Sequence, residues 1–143
     1  MNSELEKGVV SKSIQETNAI AHCVAESLGY RGCVALCGDL GAGKTAFAKG
    51  LAQAMGVNAV VKSPSFNVCL TYQGTHGNFA HIDAYRLHSP DDYDALLIDE
   101  ILPDPKLICV EWPQIVQDAL PENTLFLEIS ILEDAQSRLI RKF

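Results

Sequence analysis

The stretch Cys33-Val34-Ala35-Leu36-Cys37-Gly38-Asp39-Leu40-Gly41-Ala42-Gly43-Lys44-Thr45 decides the fold. Its first five residues are a short unbroken apolar run, which fits a strand covered on both faces in a largely parallel sheet. Gly38 to Thr45 then matches Gly-x-x-x-x-Gly-Lys-Thr in full, and Phe47, Leu51 and Met55 follow at fourfold spacing, predicting a helix from Thr45 to Met55. A phosphate-binding loop needs this strand-to-helix setting. Glycines let the backbone curl until successive N–H groups point at phosphate oxygens, and the helix N-terminus adds partial positive charge. The predicted cradle is Gly38, Asp39, Leu40, Gly41, Ala42, Gly43, Lys44 and Thr45, with Ala46 just behind it. Lys44 is expected to reach the β- and γ-phosphates, and the Thr45 hydroxyl to ligate magnesium. Asp39 has no favourable role beside polyphosphate, so its side chain is expected to face away, toward the attacking water or a partner.

Working outward, Ser13 and Glu16 have capping-box spacing, and Ile14, Thr17, Ala21, Val24, Ala25 and Leu28 carry an apolar helical stripe ending near Gly29. Lys62-Ser63-Pro64-Ser65 reads as a loop, because proline is excluded from a central strand. Phe66 to Tyr72 and Phe79 to Asp83 read as two strands joined through residues 73–78, followed by an acidic helix near Asp91 to Ile101. Leu107 to Val110 makes another buried strand ending at Glu111-Trp112-Pro113, and Leu125 to Leu132 pairs with Arg138 to Ile140 as a terminal hairpin. The alternation predicts an α/β fold: a single P-loop NTPase domain over residues 1–143, with a mixed parallel and antiparallel central sheet flanked by helices.

Composition narrows the function. The chain has 143 residues, 48% of them hydrophobic, enough for one core. A net charge of −7 with only 11 Lys and Arg argues against free-standing nucleic-acid binding, so any RNA contact is expected to be indirect, with a partner supplying most of the positive surface. The five cysteines sit mostly among apolar residues and read as buried, reduced thiols rather than a zinc site at Cys33 and Cys37. No apolar run reaches membrane-spanning length and the N-terminus is polar and acidic, so a cytoplasmic location without membrane contact is expected.

Magnesium on Thr45 calls for an acidic group from a neighbouring strand. Asp83 and Glu111 both stand at strand ends, and either is a credible ligand, directly or through water. The apolar run before Glu111 is the more Walker B-like, since ligands collect at the C-terminal edge of open α/β sheets. Each acid has a plainer alternative, capping the next turn.

Four segments taken together, Gly38 to Thr45, Lys62-Ser63-Pro64-Ser65-Phe66, His81-x-Asp83-x-Tyr85-Arg86-Leu87 and Val110-Glu111-Trp112-Pro113, resemble the TsaE (YjeE) family in order and spacing, from about Thr17 to Arg138. The resemblance implies a bacterial Mg2+-dependent ATPase, monomeric or weakly dimeric when alone. It would act with TsaB and TsaD, and with TsaC upstream, in forming threonylcarbamoyladenosine at position 37 of tRNAs that read codons beginning with A. Carried over by motif, Lys44 and Thr45 would bind ATP and magnesium, Glu111 would ligate the metal and Asp83 would be needed for activity. Ser63, Pro64 and Ser65 would form a switch-like segment, Trp112 would lie near the nucleotide, and Gln114 would touch base or ribose. Three positions depart from the family pattern. Ser65 replaces threonine, Ala46 replaces a second threonine after the loop, and Ala135-Gln136 stands where Gly-Arg is usual, leaving only Arg138 in register.

His81 reads as a packed or hydrogen-bonded strand histidine or as a base, and Arg86 as a phosphate clamp, an inter-subunit contact or an ordinary salt bridge. Two other functions fit a phosphate loop: a small-molecule kinase, and a nucleotide-dependent binding module with negligible turnover. A kinase lid would need clustered arginines, yet only Arg31, Arg86, Arg138 and Arg141 exist. With neither an arginine finger nor a water-orienting glutamine evident, turnover is expected to be slow alone and faster with partners.

Overall fold

The computed structural model describes residues 1–64 and 67–143. In chain order the elements are α1 (Asn2–Lys7), β1 (Val9–Ser11), α2 (Ile14–Ser27), β2 (Gly32–Cys37), α3 (Lys44–Ala54), β3 (Cys69–Gln73) and β4 (Asn78–Asp83). Then come α4 (Pro90–Asp94), α5 (Ile98–Ile101), β5 (Lys106–Glu111), β6 (Leu125–Ile131) and β7 (Arg138–Lys142). The strands form one sheet in the order β1-β7-β6-β2-β5-β4-β3. Its centre, β6-β2-β5-β4, is parallel, and β3 and β7 pair antiparallel onto β4 and β6. This is the mixed α/β architecture that the sequence predicts.

Strand β2 earns its central place by having apolar side chains on both faces. Val34 and Leu36 join a core under α2 and α3, whereas Cys33 and Ala35 join a second core on the opposite face, with Tyr93, Ile98 and Leu102. Phe47, Leu51 and Met55 are all fully buried; each such side chain contributes about 1.5–3 kcal/mol relative to exposure. Ser13 caps α2 as its spacing predicts, accepting from Glu16 N, while the Glu16 carboxylate reaches back to Lys12 N at 2.5 Å.

Local structure departs from expectation in four places. The acidic helix is two short ones, because Leu97 takes a left-handed conformation (φ 57°). A continuous helix would put Leu97 on the face of Tyr93, four residues earlier. The break instead leaves Leu97 51% exposed and brings Ile98 to 5%. The strand expected from Phe66 begins at Cys69, and ahead of it Asn67 N and Val68 N both donate to Pro64 O; Ser65 and Phe66 lie outside the described residues. Ile14, assigned to the apolar stripe of α2, is 74% exposed, and Ile20 takes the buried role. The short elements α1 and β1, too brief for a periodic signal, extend the sheet through antiparallel pairing of Val9–Ser11 with β7.

Cys33 and Cys37, four residues apart on one strand, stand about 13 Å apart along it, too far to share a tetrahedral zinc. Cys33, Cys37 and Cys109 are buried, Cys69 is half-buried and Cys23 is exposed. No helix among the described residues is long and apolar enough to cross a membrane.

Candidate functional site

Parallel strands bring their C-terminal ends to one edge, and the site forms there. The loop from Gly38 to Gly43 leaves β2 and enters α3, with Gly41 (φ 82°) and Gly43 (φ 106°) in the left-handed region that glycine adopts without strain. Gly38 is required for a different reason: a Cβ there would stand 2.4 Å from the Ile129 carbonyl oxygen of β6. The other side of the loop is pinned by Arg138 at the start of β7, whose Nε donates to Ala42 O at 2.9 Å and whose Nη1 donates to Gln136 O at 2.9 Å. Arg138 therefore braces the loop at Ala42. Its distance of 96 residues from Ala42 hid this from the sequence.

Lys44 is only 4% exposed. Its Nζ donates to Gly38 O at 2.5 Å and to Asp39 O at 3.0 Å, and lies 3.9 Å from the centroid of the Trp112 ring. Burial lowers its pKa, opposed by the negative charges of Glu111, Asp39 and Asp83. The buried lysine bonds carbonyl oxygens and can accept an anionic ligand, while the nearby carboxylates call for a metal ion to offset them. Trp112 itself has a left-handed backbone (φ 56°), an outlier for a bulky residue that re-aims the chain directly after β5.

Strand pairing sets the acids. Asp83 and Glu111 are opposite each other in the β4–β5 register, and Leu36 pairs with Glu111 across β2 and β5. The Thr45 hydroxyl donates to the Glu111 carboxylate, 3.3 Å from each oxygen. Behind Glu111 sits fully buried His81, its Nε2 2.5 Å from Glu111 Oε2. His81 is thus a hydrogen-bonded strand histidine whose partner is the candidate metal ligand itself. Asp83 also caps the turn at residues 84–86, its Oδ1 accepting from Tyr85 N at 3.0 Å, while lining the same cavity as Glu111.

These groups enclose a cavity of roughly 270 Å³ lined by Leu40, Gly41, Gly43, Lys44, Thr45, Ala46, Ser63, Asp83, Glu111 and Trp112. Most of the predicted site is therefore brought together. Asp39 is exposed and outside this lining, contributing its carbonyl to Lys44. Gln114 is also exposed and outside it. Of the segment expected to be switch-like, Pro64 is buried, and Ser65 lies outside the described residues.

The donor set fits magnesium. Thr45 and Glu111 offer hard oxygen atoms, with Asp83 beside them, and this ion is usually held by one or two protein carboxylates together with substrate phosphates and water. Among the described residues no group of three or more His, Cys, Asp and Glu forms a metal cage. The glycine-rich cradle fits phosphate, with Gly41 and Gly43 at positive φ at the start of α3 and open space beside Gly41, where a Cβ would meet nothing within 4 Å.

Known proteins share this arrangement. The family described as Threonylcarbamoyl adenosine biosynthesis protein TsaE matches residues 11–140. The tRNA threonylcarbamoyladenosine biosynthesis protein TsaE of Rickettsia bellii is 34% identical over 131 residues, covering 91% of this chain and 90% of that protein. Its namesake from Bacillus subtilis is 33% identical over 125 residues, covering 87% and 78%. The crystal structure of Bacillus subtilis YdiB superposes with a TM-score of 0.72 at 30% identity, over 93% of this chain and 81% of that one. Similarity running from the end of β1 into β7, through every segment that builds the site, establishes that this chain belongs to the TsaE family.

Proposed function

We propose that this chain is a Mg2+-dependent ATPase that binds ATP in the Gly38–Thr45 cradle, hydrolyses it slowly, and drives or resets a TsaB–TsaD assembly. That assembly would form threonylcarbamoyladenosine at position 37 of tRNAs reading codons that begin with A, with TsaC upstream. The observation that carries the reading is the Thr45–Glu111 pair beside buried Lys44, at the C-terminal edge of parallel strands. Loop N–H groups and Lys44 bind and orient the phosphates, while Glu111 and Thr45 hold the metal with Asp83 alongside. Bound magnesium would neutralise charge developing on the phosphate oxygens.

The arginines support hydrolysis over transfer to a metabolite. Arg138 is spent on the loop, Arg141 pairs with Glu128, and Arg31 lines a groove with Pro105 and Lys106 at the opposite strand ends. Arg86 lines the adjoining groove with Asp83 and Trp112. With a net charge of −7, tRNA contact is assigned to the partners. The test is phosphate release from ATP by the purified protein, alone and with TsaB plus TsaD. Stimulation by the partners is expected, and Lys44→Ala should abolish it; normal turnover in that variant would show that the cradle is misassigned.

A further inference from the structure

Lys44 Nζ is held by two carbonyls of its own loop, Gly38 O and Asp39 O, and by the face of the Trp112 ring, 3.9 Å from its centroid. The ring contact differs in kind from the other two. A ring face attracts an ammonium through its quadrupole and offers no acceptor atom that must be given up when a phosphate oxygen arrives. Trp112 thus keeps Lys44 at the wall of the phosphate cavity, which both residues line.

The placement of that ring depends on a neighbour. Trp112 lies just past the end of β5, half-buried, with a left-handed backbone (φ 56°). Its ring meets Tyr85, the centroids 5.4 Å apart and the planes at 64°, an edge-on pairing that aromatic quadrupoles favour. Tyr85 is 68% exposed and stands outside the phosphate cavity, in the adjoining groove of roughly 360 Å³ with Asp83 and Trp112. A side chain so exposed adds little to the core, so burial does not account for an aromatic ring there.

We propose that Tyr85 is a positioning residue for Lys44, acting through the Trp112 ring, an inference that rests on the phosphate-cradle reading above. Tyr85 has two handles on the site. Its N–H donates to Asp83 Oδ1 at 3.0 Å, and its ring packs on Trp112. Any residue but proline keeps the first handle, and only an aromatic one keeps the second. Removing the ring therefore acts on the lysine side of the site and leaves the Asp83 cap in place.

The experiment titrates Mg·tripolyphosphate, which has phosphates but no nucleoside, into the full chain by calorimetry, in a double-mutant cycle of Tyr85→Ala and Lys44→Ala. Tyr85→Ala should weaken binding about fivefold when Lys44 is present and less than about twofold when it is not. Tyr85→Phe keeps the ring and should bind within about twofold of the wild type. Fluorescence of Trp112, the only tryptophan in the chain, should move to the red in Tyr85→Ala and stay in place in Tyr85→Phe. Unchanged affinity or emission in Tyr85→Ala, an equal loss with and without Lys44, or an equal loss in Tyr85→Phe would overturn the proposal. Lys44→Ala separates the two levels. If it binds tripolyphosphate like the wild type, the cradle reading fails; if it weakens binding and Tyr85→Ala does not, only the role of Tyr85 fails.

Discussion

His81 Nε2 lies 2.5 Å from Glu111 Oε2, with both side chains buried under the mouth of the phosphate cavity. His81 Nδ1 is also buried and has no hydrogen-bond partner among the described residues. The bond that remains is Nε2–H donating to the carboxylate, which fixes how Glu111 is turned toward Thr45. His81→Leu, which fills space without a donor, should weaken Mg2+ binding at fixed ADP about tenfold. His81→Gln, whose amide N–H reaches the Nε2 position, should recover most of it. Magnesium titration of folded variants, checked by circular dichroism, reads the result, and equal loss in both would reduce His81 to a packing residue.

The two acids are not equivalent. Glu111 is 5% exposed and bonded to Thr45, whereas Asp83 is half-buried and already accepts from Tyr85 N. Glu111→Gln should therefore weaken Mg2+-dependent nucleotide binding more than Asp83→Asn does. The opposite ranking would exchange their roles.

Arg138 should matter without touching a ligand. Its Nε–H bond to Ala42 O is charge-assisted and partly buried, so Arg138→Ala should cost about 1.5–3 kcal/mol in urea denaturation. The same change should weaken tripolyphosphate binding, because the loop loses its brace at Ala42. Arg138→Lys should not restore either property, since a single ammonium cannot span the Ala42 and Gln136 carbonyls as the guanidinium does.

Alkali should destabilise the fold through its buried thiols. Burial pushes Cys33 from its ordinary value of 9.0 up to about 11, opposed in part by the nearby Thr124 side chain. The folded state keeps this proton at a pH where the unfolded chain has released it. The contribution is present below pH 9.0 and lost as pH rises toward about 11. Its size is on the order of 2–3 kcal/mol. Denaturant midpoints measured from pH 8 to 11 should fall, and less steeply in Cys33→Val; parallel curves would place the loss at other groups, such as Cys109, which shifts the same way.

Where a short window carries its own physics, the site was legible. The phosphate loop was readable because eight consecutive residues must satisfy strand, turn and helix requirements at once. The buried strands ending in Asp83 and Glu111 were readable because apolar runs have few alternatives. The break at Leu97 was not, because helical periodicity extends past it and only the competing burial of Ile98 selects the interruption.

The sequence by itself determined the α/β class, the phosphate cradle at Gly38 to Thr45, the two strand-end acids and the TsaE resemblance, all of them local patterns or ordered sets of local patterns. Tertiary structure alone decided that His81 holds Glu111, that Arg138 braces Ala42, and that Ile14 and Val60 line one groove. These pairs lie 30, 96 and 46 residues apart. Strand order and helix packing bring them together, and no local pattern encodes the partner of a side chain that distant along the chain.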